Sequence, residues 1–549
     1  MNYGFNLKRN DLIQGLESNA RFEFNLYKNK VFLTGDASAV EKFYKEDWGR
    51  FQALDKYAIA GKNNAFWYNV QYHNARVFFG LIKMINDAFV KLITSGGLEA
   101  KVKVQGKNYD EDTEYDEEQT QRLDDILQFN DFYDKKWGLA ESYQSGLGYV
   151  PLKISIDESL SDKPIVEATR PERTEVMEKR GIIQGYKFKR RKQVGDEEYE
   201  IQEIVKYGQD EQPLIEYRVL FVDGEDTRDV AIGDLTQDTF EALGLDMLIV
   251  DGKLQTVFDD YSELSDLPVI LKNNTPHNSM FPTAPFGEPD TQGLDTIEDA
   301  LSELVSSMVE EIRKGRIKVL ISEDLVSKDK NGMSQGFNEF RMDYEVMDND
   351  ANNDTKIQVV QGTINSEKYL SGLSSLISFA CNKANLHPIT VGITGVESID
   401  ASQESQMERE KVSMRTRETK LKSWRQALKK LFNLLLQTQD IMDGKPVQEY
   451  DITLNFGNFS NPSQENVINL LSKAVEGSIL STREAQKEYH QNDLTDEEYE
   501  INYIRTLIER GDPLTPAQRF FYEQKTQEQL GVTDEQVASV TRPQGIEEE

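Results

Sequence analysis

The chain has 549 residues, 38% apolar and 10% aromatic, with 63 Lys and Arg against 96 Asp and Glu, a formal net charge of −33. That much hydrophobic material excludes a disordered polymer and suffices for several domains or one elongated multi-domain subunit. The charge argues against a general affinity for nucleic acid, and the single cysteine, Cys381, excludes an intramolecular disulfide and a cysteine-based metal cluster.

No apolar run approaches the roughly 18 residues that span a bilayer, and the opening MNYGFNLKRNDLIQG lacks a signal-peptide apolar region. The expectation is a soluble protein with no membrane association. Residues 75–94 place Phe78, Leu81, Ile82, Ile85, Phe89 and Leu92 at helical spacing before a Ser-Gly-Gly stop, which predicts a core-facing helix. A second helix is expected over 118–143, and SGLGYVPLKISID then turns to strand chemistry.

From 163 to 225 the pattern is an antiparallel β meander, whose last strand alternates Ile215, Tyr217, Val219 and Phe221 inward. Its basic run, Lys187, Lys189, Arg190, Arg191 and Lys192, could form a nucleic-acid patch. Cross-strand pairing with Asp196, Glu197 and Glu198 on a solvated face is the better reading.

Next, Ile297, Leu301, Leu304, Val305, Met308, Val309 and Ile312 form one apolar helical stripe. Strands are expected near 316–322, 339–347 and 356–361, separated by polar loops. A helix over 366–386 follows, with Tyr369, Leu373, Leu376, Ile377 and Ala380 on one face. Cys381 reads as a small buried apolar residue rather than a reactive thiol.

Pro388, Gly392 and Gly395 then break the helical pattern, and Asp400 with Gln403 resembles a capping box that restarts it. The restarted helix is expected to reach about Gln439, with Met407, Met414, Leu421, Leu428 and Leu435 at seven-residue intervals and Trp424 and Leu431 joining later. Residues 402–430 carry nine Lys or Arg against four Glu. The first half has too little apolar surface for a core helix, so it should cross a protein interface or a solvated space. A strand at 451–458, short helices and a polar tail ending in three Glu complete the chain.

A catalytic site does not emerge. Each Gly-Lys pair lacks the earlier glycine of a phosphate-cradling loop, the four histidines stand apart, and no GxSxG elbow occurs. The acidic stretch YDEDTEYDEE lacks the Gly-punctuated spacing of a calcium loop. Neither a cofactor nor a metal is expected, and the reading is architectural rather than enzymatic.

The order of these parts resembles that of tailed-phage portal proteins, the head-tail connector type of siphophages of Gram-positive hosts. The similarity covers roughly residues 60–510. It is carried by LPVILKNN before PFGEPDTQGLDTIEDALSEL, by TGVESIDASQES ahead of the long helix, and by AVEGSILSTREAQKEY followed by DEEYEINYI.

The resemblance implies an α+β, multi-domain subunit. Residues 1–290 would be an α/β wing including the meander 163–225, 291–314 a first stem helix, 315–364 a small α/β clip, and 365–386 a second stem helix. Residues 387–401 would be a tunnel loop, 402–442 a long tunnel and wing helix, 443–462 a wing strand, and 463–549 a helical crown with the acidic tail.

It further implies a dodecameric ring at one capsid vertex, assembled in the host cytoplasm. The ring would conduct double-stranded DNA without sequence specificity during packaging and ejection. Its expected partners are the terminase large subunit, a head-completion or adaptor protein, and the major capsid and scaffold proteins. Thr390, Val391, Thr394, Val396, Glu397 and Ser398 are the expected channel-facing residues, and Leu301, Leu304, Met308, Arg409, Arg415 and Arg417 the expected subunit interface. Lys328, Lys330 and Asn331 are expected at the clip docking rim. For the basic helix, pairing with a neighbour's carboxylates is preferred to phosphate contact, because tight phosphate binding would impede DNA movement. Another phage head-assembly or connector component, or a DNA-processing enzyme, stays open as an alternative.

Overall fold

The computed structural model describes residues 19–47, 66–67, 76–104, 115–158, 160–208, 210–224, 226–250, 252–275, 286–315, 365–393 and 403–457. It also describes shorter stretches at 318–322, 327–328, 334–335, 344–347, 358–360, 471–473, 475, 485, 496–510 and 513–522. The chain divides into two compact units, Met1–Gly457 and Asn458–Glu549.

The first unit opens with α1 (Asn19–Leu33) and α2 (Ala37–Lys42), the latter capped by the Asp36 carboxylate, which accepts from the Ser38 N–H at 3.0 Å. The helix expected from residue 75 begins later, as α3 (Leu81–Thr94). Gly80 just before it stands at φ 78, a left-handed conformation that glycine adopts without a Cβ penalty, and residues 76–80 are non-helical. Phe78 therefore lies outside the helix, while Leu81, Ile82, Ile85, Phe89 and Leu92 are buried on it.

β1 (Leu98–Val102) follows. The single helix expected over 118–143 is two, α4 (Glu117–Phe129) and α5 (Trp137–Leu147), joined by a wide turn at Phe132–Lys136. The break falls at Asp131, whose φ of 49 is left-handed, and Asn130 before it is drawn to partners outside the helix. The Asn130 amide donates to Ile126 O and Pro164 O, both at 2.9 Å, and its side-chain oxygen accepts from the Val166 N–H at 2.7 Å. That residue ties the end of α4 to a neighbouring strand instead of continuing the helix.

β2 (Tyr149–Ser155) pairs antiparallel with β3 (Ile165–Ala168). β4 (Thr174–Lys179), β5 (Ile182–Val194), β6 (Glu197–Tyr207), β7 (Pro213–Asp223) and β8 (Asp226–Val230) form the meander, each antiparallel to the next. Lys187 and Lys189 pair with Glu175 on β4 at 3.1 and 2.6 Å, and Arg191 with Glu200 on β6 at 2.9 Å. The acids at the turn are not their partners, because the register sets Lys192 opposite Tyr199 and Gln193 opposite Glu198.

α6 (Gln237–Leu243) and the hairpin of β9 (Ile249–Val250) and β10 (Lys253–Leu254) come next, and β11 (Val257–Phe258) adds to β7. Ile232, Leu243, Leu245 and Leu248 cover Tyr199, Ile201 and Val219 in a small second core. β12 (Val269–Asn273) pairs with β2.

α7 (Asp295–Lys314) and α8 (Ser366–Lys383) flank a small mixed sheet. In it β13 (Lys318–Ser322) runs parallel to β16 (Tyr344–Met347) and antiparallel to β17 (Gln358–Val360), with β14 (Ser327–Lys328) and β15 (Ser334–Gln335) paired separately. α9 (Gln403–Met442) spans 40 residues, roughly 60 Å if straight. β18 (Ile452–Phe456) pairs antiparallel with β1.

The main core is built around the second half of α9. Leu421, Trp424, Leu428, Leu431, Phe432 and Leu435 are buried with Leu123, Leu127, Phe132, Val150, Leu152, Ile154 and Ile452. Each such side chain contributes about 1.5–3 kcal/mol by leaving water, so this half is anchored by packing. In the second unit, α10 (Asp496–Arg510) buries Ile501 and Ile504 against Tyr522.

Candidate functional site

α7 and α8 form an antiparallel pair tied at both ends. At one end Asn365 donates its N–H and its side-chain amide to Glu311 Oε1, at 3.2 and 3.0 Å; at the other, Lys383 Nζ donates to Gly293 O at 2.8 Å. Leu373, Ile377, Ala380 and Cys381 are the buried face of α8. Burial pushes the Cys381 thiol up to about 11, which leaves it an unreactive packing group.

The root of α7 is held by a row of polar side chains at helical spacing. Ser306 Oγ accepts from the Val77 N–H at 3.0 Å and Ser302 Oγ from the Phe79 N–H at 3.3 Å. Glu298 accepts from the Gly80 and Ile82 N–H groups at 2.7 and 3.1 Å. A carboxylate thus sits on the free N–H groups that open α3. Burial raises the Glu298 pKa, and the backbone donors oppose that shift. Asp299 accepts from the Phe66 and Trp67 N–H groups at 2.8 and 3.4 Å, and burial pushes it up to about 6.

A buried charge cluster joins the segment leading into α7 to the long helix. Lys420 Nζ lies 2.6 Å from Asp290 Oδ2, 2.8 Å from Asn274 Oδ1 and 3.7 Å from Glu141 Oε1, and 4.7 Å from the centre of the Phe89 ring. The Trp424 indole N–H donates to the other Glu141 oxygen. Lys272 lies 5.0 Å over the Trp424 ring and donates to Asn273 O at 2.8 Å.

Burial disfavours the Lys420 charge, but Asp290 and Glu141 outweigh it and hold the ammonium above its usual range. Burial also raises Glu141 and brings Lys272 down to about 7. The PFGEPD segment supplies the rest of the joint. Phe286 stacks on Tyr149 at 4.0 Å, and Glu288 O accepts from the Asn274 amide at 2.7 Å. A Cβ on Gly287 would stand 2.2 Å from Asn274 O, so only glycine fits that approach.

Between α8 and α9, a short turn at Pro388–Val391 is fastened to the long helix. Ser413 Oγ accepts from the His387 N–H at 3.0 Å and lies 2.8 Å from Thr390 Oγ1; the Thr416 hydroxyl donates to Asn385 O at 2.9 Å. Arg417 donates through Nε to Leu92 O at 2.9 Å and through Nη2 to Gly457 O at 2.6 Å. Ser413, Thr416, Arg417 and Lys420 are thus one face of α9, turned toward the body.

This geometry redistributes the expected site residues. Thr390 and Val391 belong to the anchored turn, Val391 with 9% exposure, rather than to an open loop. Thr394, Val396, Glu397 and Ser398 lie outside the described residues, as do Lys330 and Asn331. Lys328 falls on β14 and Arg409 on α9, both described as backbone alone. Leu301 is fully buried within the chain, and the Arg417 guanidinium donates to the Leu92 and Gly457 carbonyls. Leu304 and Met308 are half-buried and Arg415 is exposed.

Sequence reasoning did not assign Asp290, Glu141, Lys420, Glu298, Ser302 or Ser306. Asp290 lies inside PFGEPD, whose residues carry no local chemical signature, and Glu298, Ser302 and Ser306 form an i, i+4, i+8 polar stripe beside the apolar one. Among the described residues no group of three or more His, Cys, Asp or Glu could hold a metal ion, and no helix is long and apolar enough to cross a membrane. A family model described as phage portal protein, SPP1 Gp6-like, matches residues 39–513. No curated protein matches the chain.

Proposed function

The chain belongs to the SPP1 Gp6-like family of phage portal proteins, and from that premise we propose that it forms a ring of twelve subunits at one capsid vertex. Double-stranded DNA passes through this ring during packaging and ejection. Portal proteins are structural rather than catalytic, and the role proposed is a conduit and a docking platform.

The observation that carries this reading is the tethered pair α7 and α8, with a small β module at its far end and its root locked into the α/β body. Such a pair suits a stem that holds its geometry while twelve copies close around an axis. The β module over 315–364, with Lys328, Lys330 and Asn331, is then the clip offered to the terminase large subunit and to the head-completion protein. Residues Thr394, Val396, Glu397 and Ser398 form the tip of the tunnel loop, on a turn anchored by Thr390 and Val391. Their segment, Ile389 to Asp400, has no Arg, Asn or Gln to read base edges, which suits non-specific contact with a moving duplex.

Leu304, Met308, Arg409 and Arg415 are the subunit-contact residues of this proposal, with the exposed charges of α9 facing a neighbour's carboxylates. The ring would assemble in the host cytoplasm, contact capsid and scaffold proteins, and remain in the virion. Electron microscopy of the purified protein tests the proposal: rings with an axial hole support it, and particles without one oppose it.

A further inference from the structure

α1 (Asn19–Leu33) lies wholly ahead of the residues matched by the family model, which begin at 39, yet it is not a loose leader. Phe24, Leu26, Val31 and Phe32 are buried. One set of its contacts goes to the α/β body. Leu26 packs with Leu147 and Tyr149, and Lys30 pairs with Glu172 at 2.6 Å.

A second set goes to the segment that launches α7. Phe22 stacks on Phe286 with ring centres 4.9 Å apart, the Asn25 amide donates to Gln292 Oε1 at 3.4 Å, and Lys28 pairs with Asp295 Oδ2 at 3.0 Å. Asp295 is the first residue of α7, and the Lys28 and Asp295 side chains retain only 14% and 20% of their exposure. The three contacts fall at 286, 292 and 295, along the whole approach to the helix, whereas the Glu298 row holds α7 from the side of residues 77–82.

From these two sets of contacts we propose that α1 is a strap bridging the α/β body and the root of α7, which sets how freely α7 moves against that body. A helix whose every contact lay in the body would be ordinary core. A helix with a charged and an aromatic contact on the α7 approach restrains that approach specifically, and its undocking frees α7 without dissolving the core around α9. The inference does not depend on ring formation or DNA passage.

Hydrogen exchange by mass spectrometry on the full-length chain tests it. Lys28→Glu combined with Asn25→Ala removes the two polar contacts to the α7 approach, leaving Phe22 on Phe286 and Leu26 and Lys30 on the body. The expected result is about tenfold faster exchange over 77–82 and 291–300, with β6 and the second half of α9 unchanged. Reversing the pair, Lys28→Asp with Asp295→Lys, should restore most of the protection. Unchanged exchange over 77–82 and 291–300 would overturn the inference. So would acceleration spread evenly through Met1–Gly457, because α1 would then be core and not a strap.

Discussion

The Lys420 ammonium of the long helix lies 2.6 Å from the Asp290 carboxylate in the approach to α7, and the two side chains keep only 3% and 10% of their exposure. An ion pair so far from water joins two elements 130 residues apart in sequence. Removing Lys420 takes the cation from the buried Asp290 and Glu141 carboxylates, and removing Asp290 leaves the ammonium with Glu141 and Asn274 alone of the polar groups described around it, at a cost of about 3–5 kcal/mol. Asp290→Ala and Lys420→Met should each lower stability by that amount in denaturant melts. The double variant Asp290→Leu with Lys420→Met should lose much less than the sum, and strict additivity would show that the pair does not act as a unit.

Glu298 should be needed as an acceptor more than as a charge. Replacement by Ala leaves the Gly80 and Ile82 N–H groups without their partner and should cost about 1–3 kcal/mol, whereas Gln keeps an acceptor oxygen and should cost less. Equal losses for the two substitutions, measured by chemical denaturation, would contradict this ordering.

Asp299 gives a pH signature. Burial raises its folded-state pKa to about 6, above the ordinary carboxylate value of 3.8, so the native state holds the proton more tightly than the unfolded state. The contribution is present in full below the unfolded value and is lost as pH rises through about 6. Asp299→Asn should remove that loss and raise stability at pH 7.5 by about 1–2 kcal/mol, after allowance for partial solvent contact. Thermal melts from pH 4 to 8 check it, and parallel profiles for the two proteins would count against it.

Two arginines two positions apart should behave differently. Arg417 satisfies the Leu92 and Gly457 carbonyls from a buried site, so Arg417→Ala should destabilise the isolated chain by about 2 kcal/mol. Arg415 is exposed, and Arg415→Glu should leave the melt within about 0.5 kcal/mol while weakening subunit association, read by analytical ultracentrifugation. The reverse pattern would remove Arg415 from the proposed interface.

For the docking rim and the tunnel loop the expected outcomes are functional. Lys328→Glu with Lys330→Glu should leave rings intact and reduce terminase or adaptor binding in pull-downs. Deleting 395–399 should spare the turn held by Ser413 and lower the length or retention of packaged DNA. Normal packaging and adaptor binding by both variants would oppose these assignments.

Helices were legible wherever one apolar stripe met one core, as at 297–312 and 421–435. Interruptions were not, because polar side chains decided them through distant backbone. A helix splits beside Asn130, which reaches Pro164 and Val166, and Ser302 and Ser306 hold residues 77 and 79 outside α3. No local pattern announces partners 34 to 229 positions away. The basic face of α9 had a similar ambiguity. Its excess of cations was plain, but only tertiary structure separates the inward Arg417 and Lys420 from the exposed Arg415.

Cryo-electron microscopy of the purified full-length protein tests the central claim most directly. The account expects closed rings of twelve, with α7 and α8 around an axial channel, residues 394–401 of the 387–401 loop at its constriction and the 315–364 module at one end. A protein that stays monomeric across concentration and salt, or rings with 394–401 on the outer rim, would contradict it.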